Sequence, residues 1–459
     1  MTLPDAFVLR TRALLGEDYD GLEAALQAAP VASLRMNRDK IATTPEGAEA
    51  IAWCETGYYL PQRMAFTFDP LFHAGAYYVQ EASSMFLEQA IRTYVREPAV
   101  CLDLCAAPGG KSTHLCSLLP GGSLLVANEV IRSRAHILAE NLTKWGNPNV
   151  IVSCNDPADV GRLTHFFDLI VADVPCSGEG MFRKDPASVG QWNLSNVNLC
   201  AARQRRILKD AWGALKPGGL LAYSTCTYNT EENEDNLAYI VETLGAEALA
   251  ISTETDWGVS GALKNAGPAY RFFPHRTRGE GFFLALVRKT GDEERVGEPF
   301  RRKAAKEKRR LSPGALPAGV GSRLLHPEDF RIERCGDRIE AFPLCHQEYY
   351  RRLGETLNLV SAGLCLGEIK GKDLLPAHSL AMSRELNRDS FDAIALSREE
   401  AIQYLRKEAL PLAGGSNQSL SEGHALVTYR GLPLGFVKRL GNRANNLYPQ
   451  QWRIRSSHY

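Results

Sequence analysis

The stretch CLDLCAAPGGKS, residues 101–112, decides the fold. Cys101 to Leu104 read as a buried strand that carries an acid, Asp103, and Cys105 to Gly110 as a tight turn into a helix beginning near Lys111. Glycines at a strand-to-helix turn let a ligand approach the backbone, and the helix N-terminus favours negative charge. Gly110-Lys111-Ser112 looks like the end of a P-loop, but that pattern needs a glycine five residues before Gly110, where Cys105 stands. GxGxxG is absent too. Glu129, 20 residues after Gly109 at the end of the next apolar run, is placed to take both hydroxyls of a ribose. The turn therefore predicts a nucleoside cofactor without phosphates; a tight turn with no ligand is the bland alternative.

Working outward, short apolar runs (AVCLDL, SLLVAN, NVIVS, DLIVADV, LLAYST, GFFLALV) alternate with amphipathic stretches at Ile131–Trp145, Asn196–Leu215 and Thr230–Leu244. The last opens with Thr-Glu-Glu-Asn, a capping pattern. This alternation predicts an α/β doubly wound sheet over residues 79–290. Residues 1–78 form a small α/β unit, with helical patterning from Pro4 to Ala29 and a strand near VASLRMN. Residues 291–321, centred on FRRKAAKEKRR, read as a linker, 322–386 as an extension, and 387–459 as a compact β-rich module containing HALVTY and LPLGFVKRL.

With 44% hydrophobic and 23% charged residues among 459, a disordered or fibrous chain is excluded. No apolar run approaches the roughly 18 residues of a membrane span, and the first residues carry acids where a signal peptide is basic, so no membrane association and a cytoplasmic location are expected. Eleven cysteines without a single CxxC argue against a disulfide framework or zinc ribbon, and no metal is expected. The zero net charge hides an asymmetry: residues 301–459 carry 26 basic against 17 acidic side chains. After Glu422 come Arg430, Lys438, Arg439, Arg443, Arg453 and Arg455 unopposed, with Tyr448 and Trp452 among them. Phosphate binding plus base stacking would use such a tail, which predicts RNA contact; the alternative is a solvated surface with both aromatics in the core.

Two cysteines follow two strands. DLIVADV leads into Pro175-Cys176-Ser177-Gly178-Glu179-Gly180, and LLAYST into Cys226-Thr227. Neighbouring strand ends in an open α/β sheet face the ligand crevice, so the two thiols are expected to share a pocket. Methylation of an unreactive pyrimidine carbon uses such thiols: a thiolate adds to ring carbon 6 of cytosine, carbon 5 becomes nucleophilic, and a base then removes its proton. Asp173 is the candidate partner on the pyrimidine edge or on the methionine part of a cofactor. Asp156, after the third strand, either reaches the adenine side or caps a helix.

The glycine loop with Glu129 resembles the S-adenosylmethionine motif of class I methyltransferases. More specifically, DLCAAPGGK, DVPCSGEG and YSTCT are similar, in order and spacing, to motifs of the Nop/Sun-type RNA cytosine-5 methyltransferases. SLRMNRDK, YYVQEASSM and RFFPHRTRGEGFFLALV extend the match. GEIKGKDLLPAHSLAMS and PLGFVKRLGNRANNLYPQQWRI resemble the extension and PUA-like module of the bacterial 16S ribosomal RNA cytosine-5 methyltransferase F subfamily. The resemblance implies a class I methyltransferase fold between RNA-binding N- and C-terminal units. It implies S-adenosyl-L-methionine held by Cys105, Ala106, Ala107, Pro108, Gly109, Gly110, Lys111, Glu129, Asp156 and Asp173. It makes Cys226 the nucleophile and gives Cys176 deprotonation or product release. The implied substrate is 16S RNA of the small ribosomal subunit, modified by a monomer. A transfer RNA substrate and a non-catalytic assembly factor are the rival readings.

Overall fold

A computed structural model describes residues 2–264, 267–291, 315–371, 373–411, 422–440 and 443–456. Most of the expected linker, residues 292–314, lies outside the described residues.

The six expected strands are present as β1 (Val100–Asp103), β2 (Leu124–Asn128), β3 (Val150–Ser153), β4 (Phe167–Asp173), β5 (Leu215–Thr225) and, after β6 (Ala246–Leu249), β7 (Phe282–Lys289). With β8 (Leu359–Ala362) they order as β6-β7-β5-β4-β1-β2-β3-β8. The central pairs β5-β4, β4-β1, β1-β2 and β2-β3 are parallel. Pairs β7-β5, β6-β7 and β8-β3 are antiparallel, so the sheet is mixed rather than purely parallel. The near-continuous apolar strands follow from burial on both faces, each covered by its own core cluster. Strand order reverses beside β1, and the crevice beyond the carboxyl ends of β1 and β4 is where such a sheet binds its ligand.

Helices α1 (Gly110–Leu118), α2 (Arg132–Trp145), α3 (Leu194–Trp212) and α4 (Glu234–Glu242) supply the covering layers. Two differ from expectation. α3 starts early because the Asn193 side chain caps it, accepting from the Asn196 N–H, and it ends by Trp212 because Leu215 already opens β5. α4 starts at Glu234 rather than Thr230; Thr230 to Asn233 form a turn whose side chains hold the neighbouring loops instead of capping the helix.

The N-terminal unit has helices Asp5–Leu15 and Tyr19–Gln27 and an antiparallel sheet in the order Glu49–Ile51, Cys54–Tyr59, Ser33–Met36, Tyr77–Val79. Its buried Arg35 donates to Gln80 Oε1 (2.9 Å) and to Thr113 Oγ1 on α1 (2.6 Å), and lies 4.5 Å over the Trp145 ring of α2. Asn37 donates to the carbonyls of Gly75 and Trp145, both at 3.0 Å. These two side chains tie the unit to the central domain.

The extension is not a separate layer. Four of its strands form their own sheet, but β8 crosses to the edge of the central sheet, where Asn358 and Asn155 exchange amide hydrogen bonds (2.9 and 3.2 Å). The terminal five-stranded sheet packs on the N-terminal unit, and Leu34, Met36, Phe68 and Tyr77 share one core with Tyr404, Val437 and Tyr448. Tyr448 is therefore a core residue, which corrects its expected role in stacking RNA bases. Tyr448 is fully buried, and Trp452 is half-buried with its ring 5.0 Å from that of His378. Among the described residues no helix is long and apolar enough to cross a membrane.

Because that core joins the two ends of the chain, Tyr448→Ala should cost about 3–5 kcal/mol in urea unfolding, the range for truncating a large buried ring. Both terminal units should loosen together by hydrogen exchange.

Candidate active site

The loop from Cys105 to Gly109 leaves β1 at the crevice, and α2 pins its carbonyls. Arg134 donates to the Ala107 carbonyl (2.9 Å) and Asn141 to that of Pro108 (2.8 Å). Gly109 sits at φ +116°, a region that disfavours side chains, and starts α1. Asp103 is fully buried; its Oδ2 accepts from the Ser112 hydroxyl (2.6 Å), while Oδ1 has no partner. Burial pushes its pKa up to about 7. Glu129 is also buried, accepting from the Ile131 N–H (3.0 Å) and lying 3.4 Å from Arg134. The unpartnered Asp103 oxygen, the Glu129 carboxylate and the glycine turn fit a polyhydroxylated, cationic nucleoside such as S-adenosylmethionine. Asp156 caps the short helix Pro157–Val160, accepting from the Ala158 N–H, and lies 3.5 Å from Arg206. Of its two expected roles, the cap is the one observed.

Asp173 ends β4. Its Oδ2 accepts from Lys111 (2.8 Å) and its Oδ1 from the Ser224 hydroxyl (2.8 Å). Burial opposes the charge on Lys111, but Asp173 and Asp103 outweigh it and raise the lysine pKa. Beside this pair the Sγ atoms of Cys176 and Cys226 lie 3.3 Å apart. The Cys176 thiol is pushed well up, first by its hydrogen bond to the Cys226 sulfur and then by burial. Either sulfur can donate in this contact.

Two buried carboxylates set this separation. Glu179, within the Pro-Cys loop, accepts from the Thr227 hydroxyl (2.6 Å), the N–H groups of Tyr228 (2.7 Å) and Asn229 (2.9 Å), and Trp192 Nε1 (3.0 Å). Glu232, beyond the Thr-Cys loop, reaches back to the Ser177 N–H (3.0 Å), Gln204 (2.7 Å) and Asn229 (2.8 Å). Gly180 donates to the Cys226 carbonyl at 2.9 Å, and a Cβ there would lie only 2.7 Å from the Gly281 carbonyl. Arg271 holds the Tyr228 carbonyl (2.7 Å) and pairs with buried Glu234. Sequence reasoning missed these supports. Glu179 lies inside Pro175–Gly180, and Glu232 inside Thr-Glu-Glu-Asn, whose composition reads as a helix cap.

Cys54, Glu88 and His114 also converge, fully buried, between the N-terminal unit and α1; their spacing of 34 and 26 residues hides this in the sequence. They have metal-ligand chemistry, but the chain already uses the carboxylate. Glu88 Oε1 accepts from Arg92 (2.8 Å) and the Glu55 N–H (3.2 Å), and Oε2 lies 3.0 Å from His114 Nε2. Burial lowers the His114 pKa to about 4, leaving a neutral ring that donates to Glu88.

Comparison with known proteins shows the family and the fold. Residues 93–288 match the family model "16S rRNA methyltransferase RsmB/F", residues 3–82 "N-terminal domain of 16S rRNA methyltransferase RsmF", and residues 391–454 "Methyltransferase RsmF PUA domain". The chain is 30% identical over 483 residues to ribosomal RNA small subunit methyltransferase F of Enterobacter sp. (strain 638), covering 98% of this chain and 95% of that protein. It is 31% identical to the same-named protein of Escherichia coli (strain SE11), covering 98% and 96%. Among solved structures, a methyltransferase homolog protein from Pyrococcus horikoshii is 28% identical with a TM-score of 0.54, covering 62% of this chain and 95% of that one. NSun6 from Pyrococcus horikoshii, at 21% identity and TM-score 0.53, covers 63% and 99% and shares the fold.

Two measurements probe the site. Glu179→Gln keeps the shape but removes the charge that four donors share, each such bond contributing about 1.5–3 kcal/mol. Methyl transfer should fall at least tenfold while cofactor affinity, read by calorimetry, stays within about twofold. For Asp103 the folded pKa lies above the unfolded value of ~3.9. Its contribution is present at low pH and is lost as pH rises toward about 7. Urea unfolding should show Asp103→Asn gaining on the unsubstituted protein by up to about 1.4 kcal/mol per pH unit between pH 5 and 7.

Proposed function

The chain belongs to the ribosomal RNA small subunit methyltransferase F family, S-adenosylmethionine-dependent methyltransferases of 16S RNA, and from that premise we propose that it methylates cytosine at ring carbon 5 through a covalent cysteine–pyrimidine intermediate. What carries the reading is the 3.3 Å approach of Cys176 and Cys226 beside the Lys111–Asp173 pair.

The loop from Cys105 to Lys111, Asp103 and Glu129 hold the cofactor, which when bound supplies an electrophilic methyl group. The Cys226 sulfur adds to ring carbon 6 as its proton passes to the ring edge, where Asp173 and Lys111 stand. After methylation Cys176 gives up its own proton to solvent and takes the one from carbon 5, the Cys226–carbon bond breaks, and the ring edge returns its extra proton to Cys226. One proton is released overall.

The N-terminal unit (residues 1–78) and terminal module (387–459) flank the catalytic domain (79–290) and grip the RNA backbone, offsetting the few kcal/mol needed to unstack the target base. The protein acts as a monomer in the cytoplasm, on RNA of the small ribosomal subunit.

Transfer of labelled methyl from S-adenosylmethionine to unmodified 16S RNA, small subunits and transfer RNA, with positions mapped by bisulfite sequencing, tests this. Methylated cytosine is expected in the ribosomal substrates, and Cys226→Ala should lose at least roughly a thousandfold in rate. Cys176→Ser should accumulate an RNA adduct that survives denaturation and vanishes when Cys226→Ala is added. Methylation confined to transfer RNA would overturn the substrate, and full activity in Cys226→Ala would overturn the mechanism.

A further inference from the structure

The same two thiols form a paired site with a chemistry outside methyl transfer. Cys176 and Cys226 are half-buried in the crevice, with their sulfurs 3.3 Å apart. A disulfide bond of about 2.05 Å needs them to close by about 1.3 Å. The backbone on either side cannot withdraw. Glu179 joins the Pro-Cys loop to residues 227–229, Glu232 joins Ser177 to Asn229, and the Ser177 and Thr227 hydroxyls meet at 3.0 Å. These bonds hold the two thiols side by side in one pocket. All eleven cysteines are free, and of the remaining nine Cys335 and Cys345 are exposed.

We propose that Cys176–Cys226 is a reversible oxidation site, closing to an intramolecular disulfide when the enzyme meets a hydroperoxide. Cys226 loses its proton and attacks one peroxide oxygen, the O–O bond breaks, Cys226 becomes a sulfenic acid, and the leaving hydroxide takes up that proton as water. The Cys176 sulfur then attacks the Cys226 sulfur, the S–O bond breaks, and the Cys176 proton leaves with the oxygen as water. Two thiols and hydrogen peroxide give one disulfide and two waters; the thiols are oxidised by two electrons and the peroxide is reduced. A small dithiol reverses the bond by exchange. Cys176 thus doubles as the resolving thiol that protects Cys226 from irreversible oxidation. The bond-forming step depends on the thiol geometry alone. Its effect on activity rests on the reading of Cys226 as the nucleophile.

The full chain carrying Cys335→Ser and Cys345→Ser, which removes the exposed thiols, is treated with hydrogen peroxide, quenched with catalase and iodoacetamide, and analysed by intact and peptide mass. The expected product lacks two hydrogens and contains one cross-linked pair, the Cys176 and Cys226 peptides, which dithiothreitol separates. Adding Cys176→Ser should instead leave Cys226 as sulfinic or sulfonic acid that dithiothreitol does not reverse. Absence of the cross-link, with Cys226 over-oxidised equally fast whether or not Cys176 is present, overturns the site. Methyl transfer followed in the same samples should fall in proportion to the cross-link and return with dithiothreitol. A cross-link formed with methyl transfer intact supports the oxidation site and overturns the reading of Cys226 as nucleophile.

Discussion

The approach of the two crevice thiols depends on Glu179. A buried carboxylate is costly unless its charge is fully hydrogen-bonded, and here four donors from the neighbouring strand-end loop and Trp192 supply those bonds. The constraint acts in both directions. The loop after β5 cannot relax without stranding a charge, and the loop after β4 cannot relax without stranding two backbone N–H groups. The sulfur separation is the outcome of this mutual requirement, and Glu232 repeats it from the other side.

The cofactor side is built on a different balance. Asp103 keeps one oxygen unpartnered in a buried position, an arrangement that is unfavourable for the protein alone and favourable once a cationic ligand arrives. Lys111 is drawn instead to Asp173, which places a charged pair between the cofactor loop and the thiols. The glycine-rich turn keeps its shape through α2, whose Arg134 and Asn141 occupy the carbonyls that a looser turn would leave to water.

The outer units are less independent than their compositions suggest. β8 completes the central sheet from more than 200 residues away, and the two chain ends share a core around Tyr404, Tyr448 and Tyr77. Arg35 and Asn37 anchor the same assembly to α1 and α2. The elements that frame the crevice are therefore joined by buried contacts.

The order of strands and helices, the glycine turn at 105–110 and the placement of Cys176 and Cys226 at strand ends were legible in the sequence, because period, turn chemistry and the geometry of parallel sheets are local rules. The start of α4 was not. Thr-Glu-Glu-Asn has a capping composition, yet Glu232 and Asn233 form bonds with loops that only the fold brings near. The same limit hid the convergence of Cys54, Glu88 and His114 and made Tyr448 look like a surface for RNA. Residue types and local spacing determine which chemistry a segment can perform. Which side chains share a buried carboxylate, and which aromatics are left facing water, is decided by contacts between distant segments, where the cost of desolvating an unpaired group selects the partners.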